Sequence, residues 1–188
     1  MKLTWSHNLF LKINSQIGKS SEFDTFVIFC ARWLIYLLWT LILWWGVIYL
    51  DPINFKLFVK LIITTSVFSI TASIGLALFW RHPRPIKELP YIKQIVMPHQ
   101  TWKSFPSDHT ITAFLFVFVA GFMGMPLWLF LIFFMLATMV ALGRVYGGVH
   151  YPRDIIGGVF FAIFFSSISF WLLGNVAQPV YSFFMNLL

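Results

Sequence analysis

Residues 104–114 read "SFPSDHTITAF", which sets Ser107, Asp108 and His109 directly before a long apolar run. The run (Ile111, Ala113, Phe114, Leu115, Phe116, Val117, Phe118, Val119 and Ala120) has the composition of a helix in lipid. Ionisable groups at the mouth of such a helix are costly unless something holds them there. Ser107 follows Pro106 and precedes the run, the position of an N-cap. A helix starting at this point aims unpaired backbone N–H groups and the positive end of its dipole at the preceding loop, which makes an anion site. His109, in the first turn, shares that space.

The rest of the chain agrees with a lipid environment. Its 188 residues are 60% hydrophobic, 20% aromatic and only 10% charged, against about a quarter charged in soluble domains. The mean hydropathy is +0.84. Apolar runs at about 25–50, 58–80, 108–124, 126–143 and 154–174 predict five transmembrane helices. The expected fold is therefore all-α: a polytopic membrane helical bundle, one integral membrane domain over 1–188. Residues 1–24 lack the apolar core and cleavage site of a signal peptide. With Trp5, Leu9, Phe10, Leu11 and Ile13 they read as an interfacial helix. The stretch from about 176 to Leu188 reads as a partial or interfacial segment. Cys30 lies in an apolar run and is read as packing, and a lone cysteine excludes an intrachain disulfide.

The net charge of +7 is carried largely by short loops between spans, which points to anionic lipid headgroups or phosphate-bearing substrates and away from nucleic acid. Two polar segments stand out, 81–106 and 144–153 ("RVYGGVHYPR"), separated by two predicted helices and so on one membrane face. That face gathers every histidine except His7, while the connections 51–57 and 121–126 are nearly featureless. Arg84 and Arg144 offer planar donor forks for phosphate or carboxylate oxygens. Asp154 falls in the first turn of a helix that starts at Pro152, and His150 precedes it within reach of that carboxylate. Gly147 and Gly148 allow a tight turn between Arg144 and His150.

Taken singly, each residue has a plainer account. An arginine at a span end snorkels to headgroups, Ser107 caps its helix, Asp154 complements a dipole, and His82 and His99 are interfacial. Jointly, two histidines, two arginines, a carboxylate and a helix N-terminus suit phosphoryl transfer. One imidazole attacks phosphorus, the other protonates the departing oxygen, and the cations stabilise the equatorial oxygens. Glu88, Asp108 and Asp154 are too scattered for a magnesium pair, so no metal or other cofactor is expected.

"FPSDHT" followed by "GRVYGGVHYPRDIIGG" resembles the membrane branch of the type 2 phosphatidic acid phosphatase superfamily, whose fold is shared with vanadium haloperoxidases. Of its three blocks, K-x6-R-P is met at Arg84 and Pro85. P-S-G-H is met at Pro106, Ser107 and His109, and S-R-x5-H-x3-D at Arg144, His150 and Asp154. The block lysine falls on Ala77, with Arg81 the candidate substitute one turn along. Asp108 stands for glycine and Gly143 for serine. The S-D-H form with R-V-Y-x-G-V-H-Y-P-x-D is similar to the undecaprenyl pyrophosphate phosphatases of this superfamily.

The resemblance implies active-site segments at 81–110 and 143–158. It implies His150 as nucleophile, Asp154 fixing its tautomer, His109 as general acid, and Arg84, Ser107 and Arg144 holding the phosphoryl group. Asp108 and Arg81 join the substrate-binding set, with Asp108 expected to point away from phosphate, toward the helix dipole or a cation. Lys87, Lys93 and Lys103 would attract the substrate without touching it. The implied partners are a polyprenyl pyrophosphate, with its tail in the bilayer, and membrane lipids; the sequence leaves the oligomeric state open. Positive-inside counting makes the loaded face cytoplasmic. The resemblance implies a bacterial inner-membrane protein with an outward-facing site, and the surplus cations are assigned to phosphate handling. Phosphatases of phosphatidylglycerophosphate, phosphatidate or lipid A phosphate, and a non-catalytic lipid transporter, are the alternatives.

Overall fold

Every regular element is helical among the residues described by the computed structural model, which are 3–89, 91–98 and 100–185. The order is α1 (Trp5–Asn14), α2 (Ser21–Arg32), α3 (Leu34–Tyr49), α4 (Pro52–Phe79), α5 (Pro85–Glu88), α6 (Asp108–Phe122), α7 (Leu127–Tyr146), α8 (Pro152–Ser167) and α9 (Ser169–Leu172), then a π-helical stretch Leu173–Ala177 and α10 (Gln178–Met185).

Local chemistry sets several boundaries. Ser20 Oγ caps α2 at Phe23 N (3.2 Å). Asp51 Oδ1 caps α4 at Ile53 N and Asn54 N (3.0 and 3.2 Å), just before Pro52 in the first helical position. Pro126 precedes α7, and Pro152 opens α8.

The five expected spans are only partly continuous. α4 and α7 are long and apolar enough to cross a bilayer as single helices. The span expected at 25–50 is instead α2 and α3, bent by 51°. The break falls where the Ala31 carbonyl accepts a hydrogen bond from Arg144 Nη1 (3.0 Å), a side chain inserted at the helix ladder. The span expected at 154–174 bends by 60° after α8. There Ser166 Oγ and Ser167 Oγ donate back to the Ile163 and Phe164 carbonyls (3.0 and 2.8 Å), a pattern that bends helices. α6 has 15 residues, roughly 22 Å at the helical rise, against a hydrocarbon core of about 30 Å. The terminal stretch forms the short α10, and residues 186–188 lie outside the described set.

α6 is the central helix, packed by α3, α4, α7 and α8. Its Ile111, Ala113, Phe114, Leu115, Val117, Val119 and Ala120 are buried, as befits a helix apolar on all sides. They join Leu38, Ile42, Leu61, Phe133, Val140 and Ala162 in the main core, which also takes up Cys30. Large side chains such as Trp44, Ile53, Val67, Leu127, Phe160 and Trp171 are exposed outward, a surface suited to lipid.

α1 does more than lie on an interface. Trp5 and Leu9 are exposed, but Ser6, His7, Phe10 and Asn14 are buried against the rest of the molecule. Asn14 pairs with the Lys93 backbone in both directions (Nδ2 to O, 2.6 Å; N to Oδ1, 2.9 Å), and Ser6 Oγ accepts from Arg153 N (3.1 Å).

Candidate active site

Four helix ends meet under the 80–107 segment: the end of α4, the start of α6, the end of α7 and the start of α8. α7 stops at Tyr146, and Gly148 (φ +83°) reverses the chain. A Cβ there would sit 2.7 Å from the Lys93 carbonyl oxygen, so both conformation and space require glycine. The reversal lets the Arg144 carbonyl accept from Val149 N (3.2 Å) and His150 N (3.3 Å). The five-residue gap between Arg144 and His150 is the length of this closure.

The spacing from His150 to Asp154 follows from the next helix start. Tyr151 N donates to Asp154 Oδ2 at 2.8 Å, turning the carboxylate back across the first turn of α8. The same oxygen lies 3.3 Å from His150 Nδ1 and accepts from Ser104 Oγ at 2.5 Å. On the other side of the ring, Arg84 Nη1 lies 3.0 Å from Nε2 and also donates to the Val149 carbonyl (2.9 Å). A guanidinium can only donate. Nε2 is therefore the acceptor, and Nδ1 carries the proton toward Asp154. The geometry leaves the imidazole neutral with its lone pair on Nε2. Burial, followed by the charges of Arg84, Arg144 and Lys103, holds the His150 pKa well below the usual histidine value.

The cluster is almost sealed: Arg84, Ser107, Arg144, His150 and Asp154 are each at most 5% exposed. Arg84 Nε and Arg144 Nε are buried without a hydrogen-bond partner among the described residues. Orphaned donors of this kind cost roughly 1–3 kcal/mol each or more, and anion oxygens would satisfy both. Ser107 Oγ accepts from Thr110 N (3.4 Å) and Thr110 Oγ1 (3.1 Å), while its own N–H donates to the Asp154 carbonyl (3.1 Å). That bond joins the starts of α6 and α8. Gly158 permits the approach, since a Cβ there would meet Thr110 Cβ at 2.8 Å. His109 stands half-buried in the first turn of α6.

Asp108 is turned toward α4: its Oδ1 accepts from Ser73 Oγ (2.9 Å) and pairs with the Lys103 ammonium. Gly143 has a packing reason, because a Cβ there would lie 3.0 Å from the Ala31 backbone nitrogen where α2 crosses α7. Arg81 is exposed and stays outside the buried cluster. Of the three lysines expected to attract substrate at a distance, Lys87 and Lys93 are exposed and Lys103 is buried. The Lys93 ammonium is tied to the Ile17 carbonyl (2.6 Å), and Lys103 is 2% exposed. His82 is partly buried against Phe105, and His99 lies outside the described residues.

Several contributors escaped the sequence. Ser104 anchors Asp154, and its only signal was its place two residues before Pro106. His7 joins the loaded end after all. Its Nε2 is 3.6 Å from Glu88 Oε2, which accepts from Tyr151 OH at 2.8 Å, and its ring meets the Tyr151 ring edge-on at 4.8 Å. α1 thereby braces the residue whose N–H holds Asp154.

The sequence profile of the PAP2 superfamily matches residues 56–177. "Bacitracin transport permease protein BcrC" of Bacillus licheniformis is 35% identical over 89 residues, 47% of this chain and 42% of that protein. "Putative undecaprenyl-diphosphatase YbjG" of Escherichia coli (strain K12) is 32% identical over 155 residues, 81% of this chain and 74% of the relative. The crystal structure of Aquifex aeolicus LpxE superposes with a TM-score of 0.74 at 28% identity, covering 90% of this chain and 96% of that one.

Proposed function

The chain belongs to the PAP2 superfamily, and on that premise we propose that it hydrolyses undecaprenyl diphosphate to undecaprenyl phosphate and inorganic phosphate through a phosphohistidine on His150. A lipid-phosphate hydrolase is the coarser statement that the family supports. The mechanism rests on one observation above the others: a buried, neutral His150 whose Nε2 lone pair is fixed by Asp154 on one side and Arg84 on the other. The substrate class rests on the similarity to the relative named as an undecaprenyl-diphosphatase.

In the first step His150 Nε2 attacks the terminal phosphorus. The bond to the bridging oxygen breaks, and His109 gives that oxygen its proton as the lipid monophosphate leaves. Arg84 Nη1 caps Nε2 in the resting site, so attack requires the fork to move from imidazole to phosphoryl oxygens. Those oxygens also offer acceptors to the orphaned Nε atoms of Arg84 and Arg144, and to the start of α6. Asp154 stabilises the charge that the ring acquires. In the second step His109 takes a proton from water, which displaces phosphate from His150. No metal takes part in this scheme. The polyprenyl tail stays in the bilayer and the site faces outward, so the reaction regenerates the carrier lipid of cell-wall synthesis.

The test is phosphate release from a panel of undecaprenyl diphosphate, phosphatidylglycerophosphate, phosphatidate and lipid A phosphate, in one detergent and in excess EDTA. Undecaprenyl diphosphate should exceed every monophosphate lipid by at least about tenfold in kcat/KM, a modest difference in binding energy, with no loss in EDTA. Preference for a monophosphate lipid would replace the substrate assignment. The word permease in the name of one relative favours a second reading, lipid transport. That reading requires movement of a phosphate-headed lipid without release of inorganic phosphate.

A further inference from the structure

Lys103 is the buried cation that the mechanism above leaves unused. It is 2% exposed, and its ammonium pairs with Asp108 Oδ1, the same oxygen that accepts from Ser73 Oγ at 2.9 Å. Ser73 and Ala77 lie four residues apart, on one face of α4. The Ser73 contact therefore brings the Lys103 head to the face of α4 that carries Ala77, the position where the family pattern has its lysine. Ala77 is 1% exposed and contributes only a methyl group.

The neighbours of this pair belong to the reaction. Lys103 precedes Ser104, which anchors Asp154, and Asp108 precedes His109. Arg84, Arg144 and Lys103 place three cations at this end of the bundle against Asp108 and Asp154, leaving an excess of positive charge in a nearly sealed site. Buried charge without compensation is costly, and an anionic substrate would complete the balance. The Lys103 charge also reaches His150, where it helps keep the imidazole neutral. An ammonium has three donors, and Asp108 Oδ1 takes one of them.

We propose that Lys103 supplies from the connecting segment the phosphate-binding cation absent at position 77, with Asp108 and Ser73 as the positioning residues that hold its ammonium there. Three features then become one exchange: alanine at 77, aspartate at 108 and a buried lysine at 103. The proposal rests on the reading of the site as a phosphohydrolase. Lys103 contacts oxygens of the substrate, while Asp108 acts only through Lys103.

The experiment uses the full chain in detergent, with farnesyl diphosphate as substrate probe and orthovanadate as phosphate mimic. The double variant Lys103→Met/Asp108→Asn removes both charges, so no carboxylate is left without its buried partner. Its kcat/KM should fall by about 10²-fold, the scale of one lost transition-state contact. Thermal stabilisation by orthovanadate should weaken with it. Adding Ala77→Lys to that background should return at least about a tenth of the wild-type rate, because the cation re-enters from α4. A purely structural role for the ion pair predicts no such rescue.

A double variant that keeps wild-type turnover and vanadate response overturns the proposal, as does a folded triple variant no better than the double. If wild type releases no phosphate from the probe, the enzymatic reading fails. The vanadate response of wild type against the double variant then decides Lys103 alone.

Discussion

His150→Ala should abolish phosphate release from the pyrophosphate lipid, by about 10⁴-fold or more in kcat/KM, because the covalent route is lost outright. The remaining cations and the α6 start can still bind phosphate, so KM should change far less than kcat. The substitution removes the acceptor for Arg84 Nη1 and the donor to Asp154. Arg84 keeps the Val149 carbonyl, and Asp154 keeps Ser104 and Tyr151 N, so the fold should survive. A circular dichroism melt alongside the phosphate assay separates loss of chemistry from loss of structure. Retained turnover would mean that attack comes from another group.

Asp154→Asn should reduce kcat by about 10²–10⁴-fold with little change in fold, because the negative charge beside the reacting imidazole is lost. Tyr151 N–H needs an acceptor, so the new amide oxygen takes the place of Oδ2. The same oxygen still accepts from His150 Nδ1 and Ser104 Oγ, so the tautomer is kept, while the neutral amide no longer stabilises the positive charge that the ring acquires on attack.

The wild-type pH profile checks the same arrangement. Burial and three cations lower the His150 pKa, so the neutral nucleophile persists as pH falls through the ordinary histidine value. The acid limb of kcat/KM contributed by this group should therefore lie below about 6.5. An acid limb above that value would contradict the protonation state assigned to the resting site.

The parts of the site that sequence made legible are those closed by short-range geometry. Arg144, His150 and Asp154 are related by one helix end and the next helix start, and both ends follow local capping rules. Ser107 was legible for the same reason. The anchors that escaped join residues far apart in the chain: Ser73 to Asp108, Ser104 to Asp154 and Tyr151 to Glu88 are separated by 35, 50 and 63 positions. Nothing in a local window specifies which serine will meet which carboxylate.

The spans show a similar division. Apolar composition located the helices, but the bend after α2 depends on Arg144 from α7, a tertiary event. The bend after α8 had a local signal in Ser166 and Ser167, masked by the hydropathy of the surrounding run. α1 was read from its apolar residues as an interfacial helix. Its buried polar face (Ser6, His7 and Asn14) is what binds it to the loops around the site.

The central claim is a covalent phosphate on His150, and rapid quench tests it most directly. Wild-type protein is mixed with a prenyl diphosphate radiolabelled in the terminal phosphate and stopped in alkali within one turnover. Protein-bound label that is stable to alkali, labile to acid, located on His150 and missing from His150→Ala is the predicted result. A burst of free phosphate with no protein-bound label, or label on another residue, would contradict it.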